Sequence, residues 1–591
     1  MDGNVLLQTA MSHLQTGQFA EAEILYQTYL RYDPKNAEVF YNHGLALQHQ
    51  GKLEPAITAY RHALELKPGL IEALQNMGEA FHVRGELQAA ENSYLQALAL
   101  KPDHVEILNN LGIVLKDQGR LDEAIQHYQR SLQLDPQHFK AYNNLANAYK
   151  EIGLLDQAVI AYQKALELNP GHVETLSNYL FVLSIHPKCS PSQYLENARH
   201  YADIVSRLAT PYLEWFALMD SAKESPLKIG LVSGDLRTHP VGFFLESILA
   251  HLNSGMIELV AYSTKPQEDA LTARIKPYFT AWHSLVGLSD QTAAHKIHND
   301  GIQILIDLAG HTAHNRLPIF AWKPAPVQIS WLGYFASTGL AEMDYVLADP
   351  VSIPQSQQAH FTETICYLPD TRLCFTAPSA REIAPLPALR NGYITFGCFQ
   401  NLAKLDDAVL AAWARILQES PNAMLRLQTH QLKTTAIRQL LMERLQRQGI
   451  PGERVILVEP GSRESYLAAH AEVDVILDTF PYPGGTTTCE ALWMGVPTIT
   501  LAGETLISRQ GASMLSCAGL SDWVATDEHD YVNKAINRSN DLQALAALRN
   551  NLRQQVQDSP LFDAPRFARH LEQALTSIWD KRIAKNQPGF T

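Results

Sequence analysis

Small, aromatic and proline positions return along the first part of the chain with one fixed period. Gly17, Gly51, Gly85, Gly119 and Gly153 stand 34 residues apart, and so do Ala22, Ala56, Ala90, Ala124 and Ala158. Tyr26, Tyr60, Tyr94, Tyr128 and Tyr162 keep the same register, and Pro34, Pro68, Pro102, Pro136 and Pro170 close each unit. A sustained period of this length marks stacked supersecondary units. Each unit predicts two helices: Gly makes the turn, Ala lets helices approach, Tyr fills the next interface, and Pro stands where a helix must stop. After Pro170 the pattern decays. One more helix pair is expected through HVETLSNYLFVLSIHP, giving a superhelix over residues 1–185, with capping helices and a linker over 186–225.

From Leu227 the pattern becomes short apolar runs separated by helical stretches. KIGLVSGD, IELVAYST, IQILIDLAG, VQISWLGY and MDYVLADP read as buried strands of one half, residues 226–388. YITFGCF, AMLRLQT, RVILVEP, VDVILDTF and PTITLAG repeat the theme over 389–591, after a Pro-containing join, REIAPLPALRNG. Alternating strands and helices imply parallel sheets covered on both faces. Ligands of such sheets bind beyond the carboxyl ends of the strands, so two halves predict a cleft between those ends.

Composition narrows the field. Hydrophobic residues make up 46% of the 591, charged ones 18%, and the formal net charge is −14. An acidic chain is a poor candidate for nucleic-acid binding, which rests on clustered Lys and Arg. No apolar run approaches the ~18–20 residues that cross a bilayer, and MDGNVLLQTAMSHLQTGQF carries no basic segment before an apolar core. The six cysteines show no CxxC pair or metal-type spacing, which points to a reduced cytoplasm. GxGxxG after the first strand, GxxxxGK[ST] and GxSxG are all absent, which argues against dinucleotide, P-loop and esterase chemistry.

Candidate chemistry gathers at strand ends. In DTFPYPGGTTTCEAL a strand, a Pro/Gly turn and a helix start near Thr486 or Thr487 follow one another. Exposed N–H groups and the helix dipole favour an anion there, Gly484 and Gly485 admit it, and Thr486, Thr487 and Thr488 add hydroxyl donors. A diphosphate fits that description. Glu490 is placed to accept from ribose hydroxyls, or alternatively to close a Thr487-x-x-Glu490 capping box. GCFQNLAKL brings Gln400, Asn401 and Lys404 to another strand end, with Lys404 a cation for a leaving diphosphate. Asp235 and His239 follow the first strand and suit an acceptor hydroxyl that must be oriented or deprotonated. His311, His314 and Arg316 lie on a further strand-end loop, and HxxH without a third ligand does not make a metal site. Gly333, in WLGYFASTG, belongs to a loop suited to walling a sugar pocket. In the repeats, Asn42, Asn76, Asn110, Asn144 and Asn178 form a series that reads either as polar helix packing or as a ladder holding a peptide backbone.

These motifs carry a resemblance. The repeats resemble the tetratricopeptide repeat. With SGDLRTHPVG, KPAPVQISWLGY, FQNLAKL and DTFPYPGGTTTCEALWMGVP in order behind them, the chain looks like the protein O-linked N-acetylglucosamine transferase/SPINDLY family. That resemblance implies a tetratricopeptide superhelix followed by a GT-B fold of two Rossmann-like α/β domains. It also implies inverting transfer of one sugar from a nucleotide-sugar to Ser or Thr of proteins, without cofactor or metal. Under it His239 and Asp235 match active-site residues, and His200 matches a further active-site histidine. Lys404, Asn401, Thr486 and Thr487 match diphosphate ligands, and Glu490 the ribose ligand. Animal-type enzymes carry His where Gly485 stands and Asp where Glu490 stands; TTTCE resembles the plant SPINDLY branch, which uses GDP-fucose, whereas GETLISR resembles the N-acetylglucosaminyl branch. The leading expectation is UDP-GlcNAc as donor and protein acceptors in the repeat groove. The alternatives are protein O-fucosylation, transfer to glycans or small molecules, and an inactive repeat scaffold.

Overall fold

A computed structural model describes residues 3–215, 226–379, 381–459 and 461–586. Residues 216–225 of the expected linker lie outside the described residues. Contacts divide the chain into two compact units, with the division at Pro170 and Gly153–Leu155 grouped with the second.

The first unit is built of helix pairs such as Ala37–His49 with Leu53–Leu66 and Val105–Asp117 with Leu121–Leu134. Each repeat glycine sits in the turn with φ between 73° and 83°, a conformation that costs side-chain-bearing residues energy. The repeat tyrosines are all buried. Tyr26 shares a core cluster with Val39 and Ala46 of the next pair, as expected, and the rings also pack inside their own helix pairs. A Cβ on Gly44 would lie 2.5 Å from the Tyr60 ring, one on Gly78 2.7 Å from Tyr94, and one on Gly112 2.5 Å from Tyr128. The missing side chain on one helix is therefore the socket for the ring on the other.

The second unit opens with the helices Val173–Ile185 and Pro191–Ser206, the latter started by a Ser190–Gln193 capping box. Two wholly parallel sheets follow. The first comprises β1 (Leu227–Ser233), β2 (Ile257–Ser263), β3 (Ala281–Ser284), β4 (Ile304–Asp307), β5 (Val327–Ser330), β6 (Tyr345–Ala348) and β7 (Thr364–Tyr367), in the order β3-β2-β1-β4-β5-β6-β7. The second comprises β8 (Thr395–Cys398), β9 (Met424–Gln428), β10 (Val455–Val458), β11 (Val475–Leu477), β12 (Thr498–Leu501) and β13 (Val524–Ala525), in the order β10-β9-β8-β11-β12-β13. This is the expected repeat-plus-GT-B architecture. The strands β3, β7 and β13 were not predicted; they are short, and β3 and β7 lie on an edge where no continuous apolar run is needed.

The chain order reverses between β1 and β4 in one sheet and between β8 and β11 in the other, and ligand crevices form at such switch points. The assignment of all of 389–591 to the second half needs correction. The final helix, Ala564–Asn586, returns to the first sheet, where Leu571 and Leu575 face Ile229, Leu231 and Trp331. Asn253 N–H donates to Glu572 Oε1 at 2.6 Å beside them. Side chains also tie the halves directly: Ser513 Oγ donates to Asp349 Oδ2 at 2.8 Å, and Arg509 Nε to Val351 O at 2.7 Å.

The glycine sockets give a stability prediction. Gly78→Val forces the Tyr94 ring out of its place, an overpacking cost of about 1–3 kcal/mol. Urea unfolding followed by helical circular dichroism should show a lower midpoint for this variant and none for the exposed control Gly69→Ala, whose Cβ meets no atom within 4 Å.

Candidate active site

The β11 strand ends at Leu477, and the following loop folds around the fully buried Asp478. Its carboxylate accepts from Gly484 N–H at 2.7 Å, Thr479 N–H at 3.0 Å, Thr500 Oγ at 2.9 Å and Gln400 Nε2 at 3.2 Å. Burial pushes its pKa up to about 6, against the pull of Gly484 N–H and Lys404. The loop delivers Gly485 as N-cap of the helix Thr486–Trp493 with no side chain bonded to the helix start. The capping-box reading of Thr487 and Glu490 is thereby corrected. Thr487 Oγ donates instead to Gln400 Oε1 at 3.0 Å, while the buried hydroxyls of Thr486 and Thr488 have no hydrogen-bond partner. A Cβ on Gly484 would lie 2.3 Å from Thr488 Oγ and 2.4 Å from Gln400 Nε2, so glycine is required where hydroxyls and amide converge.

Lys404 comes to the same place from β8. Its Nζ donates to Pro483 O at 2.8 Å and stands 3.8 Å from the centre of the Tyr482 ring. Burial lowers its pKa to about 8, with Asp478 opposing the shift, so it is a cation at neutral pH. Asn401 is an N-cap here: its Oδ1 accepts from Ala403 N–H at 2.9 Å and from Gln431 Nε2. The site thus holds a helix N-terminus, two unbonded hydroxyls and an ammonium group, a combination matched to a diphosphate.

Glu490 sits deeper than expected, only 2% exposed. Its carboxylate pairs with Arg463 at 2.6 Å and accepts from Tyr466 OH at 2.8 Å. As folded, it anchors these two groups, and Arg463 carries the charge outward with its guanidinium 4.4 Å from the Phe243 ring of the first half. Arg463, Tyr466, Tyr482 and Asp478 were missed by sequence reasoning. Only Asp478, the residue that follows an apolar strand, left a signal.

At the end of β1, His239 caps the helix Pro240–Leu249, its Nδ1 accepting from Val241 N–H at 3.4 Å. The same nitrogen lies 3.6 Å from Asp235 Oδ2. These neighbours ask for opposite proton positions. As cap acceptor the ring holds its proton on Nε2; facing Asp235 it holds it on Nδ1 and frees Nε2 as a base. Burial lowers the His239 pKa, so the ring is neutral at pH 7, with Asp235 as the opposing influence.

Two other expectations, for His311 and Arg316, are corrected, and Gly333 and His200 are placed. His311 is 1% exposed, with Nδ1 3.0 Å from Ser177 Oγ and Nε2 3.2 Å from Thr338 O; burial pushes its pKa down to about 3. It is a packed, neutral core residue. Arg316 binds Asp290 Oδ1 at 2.8 Å and the carbonyls of Leu285 and Leu288, closing a loop. Gly333 is glycine because a Cβ would lie 1.8 Å from Leu308 O, where two strand-end loops cross. His200 is exposed on the helix Pro191–Ser206 and lines a surface cavity with Arg199, Asp203, His360 and Glu504, none of which belongs to the diphosphate cradle. Among the described residues no group of three His, Cys, Asp or Glu is arranged to hold a metal ion.

Of the asparagine series, Asn42, Asn76, Asn110 and Asn144 lie on first helices of pairs in the first unit, and Asn178 lies in the second. Asn76 Nδ2 donates to Tyr41 OH at 3.2 Å and Asn144 Nδ2 to Asn109 Oδ1 at 2.9 Å, so both bond from one helix pair to its neighbour.

The family model for glycosyl transferase family 41 matches residues 196–377 and 379–571. The chain belongs to that family. Tetratricopeptide repeat models match residues 7–71 and 103–170. The chain is 38% identical over 391 residues to the Arabidopsis thaliana protein described as a probable UDP-N-acetylglucosamine–peptide N-acetylglucosaminyltransferase SPINDLY, covering 65% of this chain and 43% of that one. It is 28% identical over 409 residues to the Arabidopsis SEC protein of the same description. The chain spans less than half the length of these curated relatives. The solved structure of a mutant Thermobaculum terrenum O-GlcNAc transferase superposes with a TM-score of 0.83 at 33% identity, over 88% of this chain and 98% of that one.

The cradle geometry makes a direct prediction. UDP or GDP should raise the melting temperature of the unaltered protein, and Gly484→Ala, by displacing Thr488 and Gln400, should abolish that rise, since a ligand stabilises only the state it binds. Differential scanning fluorimetry reads it.

Proposed function

We propose that this family 41 protein is an inverting protein O-glycosyltransferase that moves N-acetylglucosamine from UDP-GlcNAc to Ser or Thr hydroxyls. The observation that carries the reading is the convergence of Lys404 with the two unbonded hydroxyls, Thr486 and Thr488, at a helix start. The names of the SPINDLY relatives and of the bacterial O-GlcNAc transferase support the donor and the peptide acceptor. The repeats support an extended acceptor segment held in the groove, with Asn42, Asn76, Asn110, Asn144 and Asn178 as the peptide-facing candidates, although Asn76 and Asn144 also bond between helix pairs. Six unpaired cysteines support a cytoplasmic site of action.

In this reading the donor diphosphate lies on the N-terminus of the helix Thr486–Trp493 and the acceptor approaches from the β1 end. Asp235 and His239 orient the hydroxyl; with the imidazole proton on Nδ1, Nε2 accepts the hydroxyl proton as oxygen attacks the anomeric carbon from the face opposite the diphosphate. The C–O bond to the diphosphate breaks in the same step, inverting the centre, and its negative charge develops against Lys404 and the helix dipole. Charge neutralisation by the chain's own cation supports transfer that needs no added metal, and activity should survive EDTA.

Incubating the purified protein and a protein lysate with UDP-GlcNAc or GDP-fucose, followed by mass spectrometry, tests the donor. A HexNAc increment on Ser or Thr is the expected result; a deoxyhexose increment would move the chain to the fucosyl alternative, and no increment would favour the scaffold.

Lys404→Ala should lower transfer by at least ~100-fold, the order of one lost transition-state charge contact, with an unchanged circular dichroism spectrum. With a folded pKa of about 8, Lys404 loses its proton as pH rises through 8, and donor affinity should fall there. The stability linkage has the opposite sign. Between pH 8 and ~10.5 the unfolded chain holds a proton that the folded one has released, so this group's contribution to stability rises with pH in that window.

A further inference from the structure

Two cations stand beside Asp235 and His239 that the transfer chemistry above does not use. Arg237 lies two residues before His239, and Lys265 lies just beyond β2. Parallel pairing of β1 with β2 sets Ser233 opposite Ser263, so the residues that leave the two strands run side by side. Gly234 makes the close approach possible: a Cβ there would lie 3.5 Å from Lys265 Cγ and 2.8 Å from Thr264 Oγ.

The backbone under both cations is fixed. Thr238 N–H donates to Asp269 Oδ2 at 2.8 Å, and a Cβ on Gly242 would lie 2.1 Å from Arg237 O, so the loop folds tightly onto the helix that follows. On the other side, Ser263 Oγ donates to Lys265 O and Thr264 Oγ to His314 O, both at 2.8 Å.

The side chains, by contrast, are poorly compensated. Arg237 Nε stands 3.9 Å from Asp235 Oδ1, beyond hydrogen-bond reach, and is buried with no hydrogen-bond partner. An arginine recruited only to neutralise Asp235 would close to the ~2.7–2.9 Å of a charge-assisted bond. Among the described residues no carboxylate lies within 4 Å of the Lys265 ammonium. Of the carboxylates that follow on the same loop, Glu268 pairs with Lys276 at 2.9 Å and Asp269 is occupied by the N–H groups of Thr238, Leu271 and Thr272. Burial and the charge of Arg237 both weaken the hold of Lys265 on its proton. Two cations therefore face one carboxylate and a neutral imidazole, a local excess of positive charge in a chain whose net charge is −14.

We propose that Arg237 and Lys265 form an anion subsite beside the acceptor hydroxyl, which selects acceptor peptides carrying a carboxylate or phosphate side chain next to the reacting Ser or Thr. The position argues for the acceptor. Both residues leave β1 and β2 of the first half with His239, whereas the diphosphate cradle is built on β8 and β11 of the second. The inference rests on the proposed transfer to Ser and Thr, yet binding tests it separately from transfer.

The experiment uses the full chain and fluorescein-labelled peptides that are identical except for the residue beside one serine: Asp, phosphoserine or Asn. Because the rest of the peptide is constant, its contribution cancels in the ratio of affinities. By fluorescence anisotropy the Asp or phosphoserine peptide should bind about tenfold tighter than the Asn peptide, the scale of one charge-assisted hydrogen bond. That ratio should shrink in 0.5 M salt, as a screened interaction must. Arg237→Gln combined with Lys265→Gln should bring the ratio to about one while UDP or GDP still raises the melting temperature, which shows an intact fold and donor side. Arg237→Glu should turn the preference toward a Lys-flanked serine. Equal binding of the anionic and Asn peptides by the unaltered chain, or an unchanged ratio in the double variant, would overturn the subsite. Failure of the transferase reading would show differently, as a bound acidic peptide that gains no sugar mass with either nucleotide-sugar.

Discussion

The buried carboxylate of Asp478 is the constraint on which the donor side depends. One ionised group accepts from two backbone N–H groups, a threonine hydroxyl and the Gln400 amide, and so fixes both ends of the Pro/Gly turn and the neighbouring strand exit. An unpaired carboxylate in that position would be costly, and four donors with the nearby ammonium of Lys404 make it tolerable. The consequence is directional. With Gly484 held inward, Gly485 opens the helix with its own N–H groups free of a side-chain cap, and Thr486 and Thr488 keep hydroxyls for a ligand. The same carboxylate helps Lys404 stay charged in a buried setting. Cap, hydroxyls and cation are one assembly rather than three separate features.

The two halves meet this assembly with different electrostatics. On the second half, positive potential comes from a helix start and one partly buried ammonium. On the first, Asp235 and His239 provide an acceptor for a proton, flanked by Arg237 and Lys265. The halves are also joined at the C-terminus, where the helix Ala564–Asn586 packs on the core of the first sheet. Arg463, pinned by Glu490 and lying against Phe243, adds a charged contact across the cleft near the donor side.

Much of this was legible because it is local. The exact period of Gly17 to Gly153 reports a left-handed turn that glycine meets at least cost, and the apolar runs of β1, β4, β5, β8 and β11 report strands buried on both faces. Lys404 and the threonines were readable from their place at strand ends. What failed was non-local. His311 and Arg316 look like loop chemistry in sequence, yet Ser177 and Thr338 close around one, while Asp290 and two carbonyls close around the other. Glu490 was legible as an acid near the cradle, but its pairing with Arg463 depends on a helix that starts 27 residues earlier. Lys265 comes close enough to feel the charges of Asp235 and Arg237 only because β1 and β2 are neighbours.

The same distinction bears on the donor. Gly485 replaces the histidine of animal-type enzymes, and Gln510 fills part of the space: a Cβ on Gly485 would lie 3.1 Å from Gln510 Nε2, which donates to Gly484 O at 3.3 Å. The substitution therefore changes how the turn is supported without removing the helix start or its hydroxyls. A diphosphate is common to UDP and GDP, so a motif that binds it carries little information about base or sugar. Under the proposed function, discrimination between bases falls to groups beyond the cradle. TTTCE and GETLISR can thus point to different branches without physical contradiction, because neither stretch by itself contains the surfaces on which a uridine and a guanosine, or a GlcNAc and a fucose, differ.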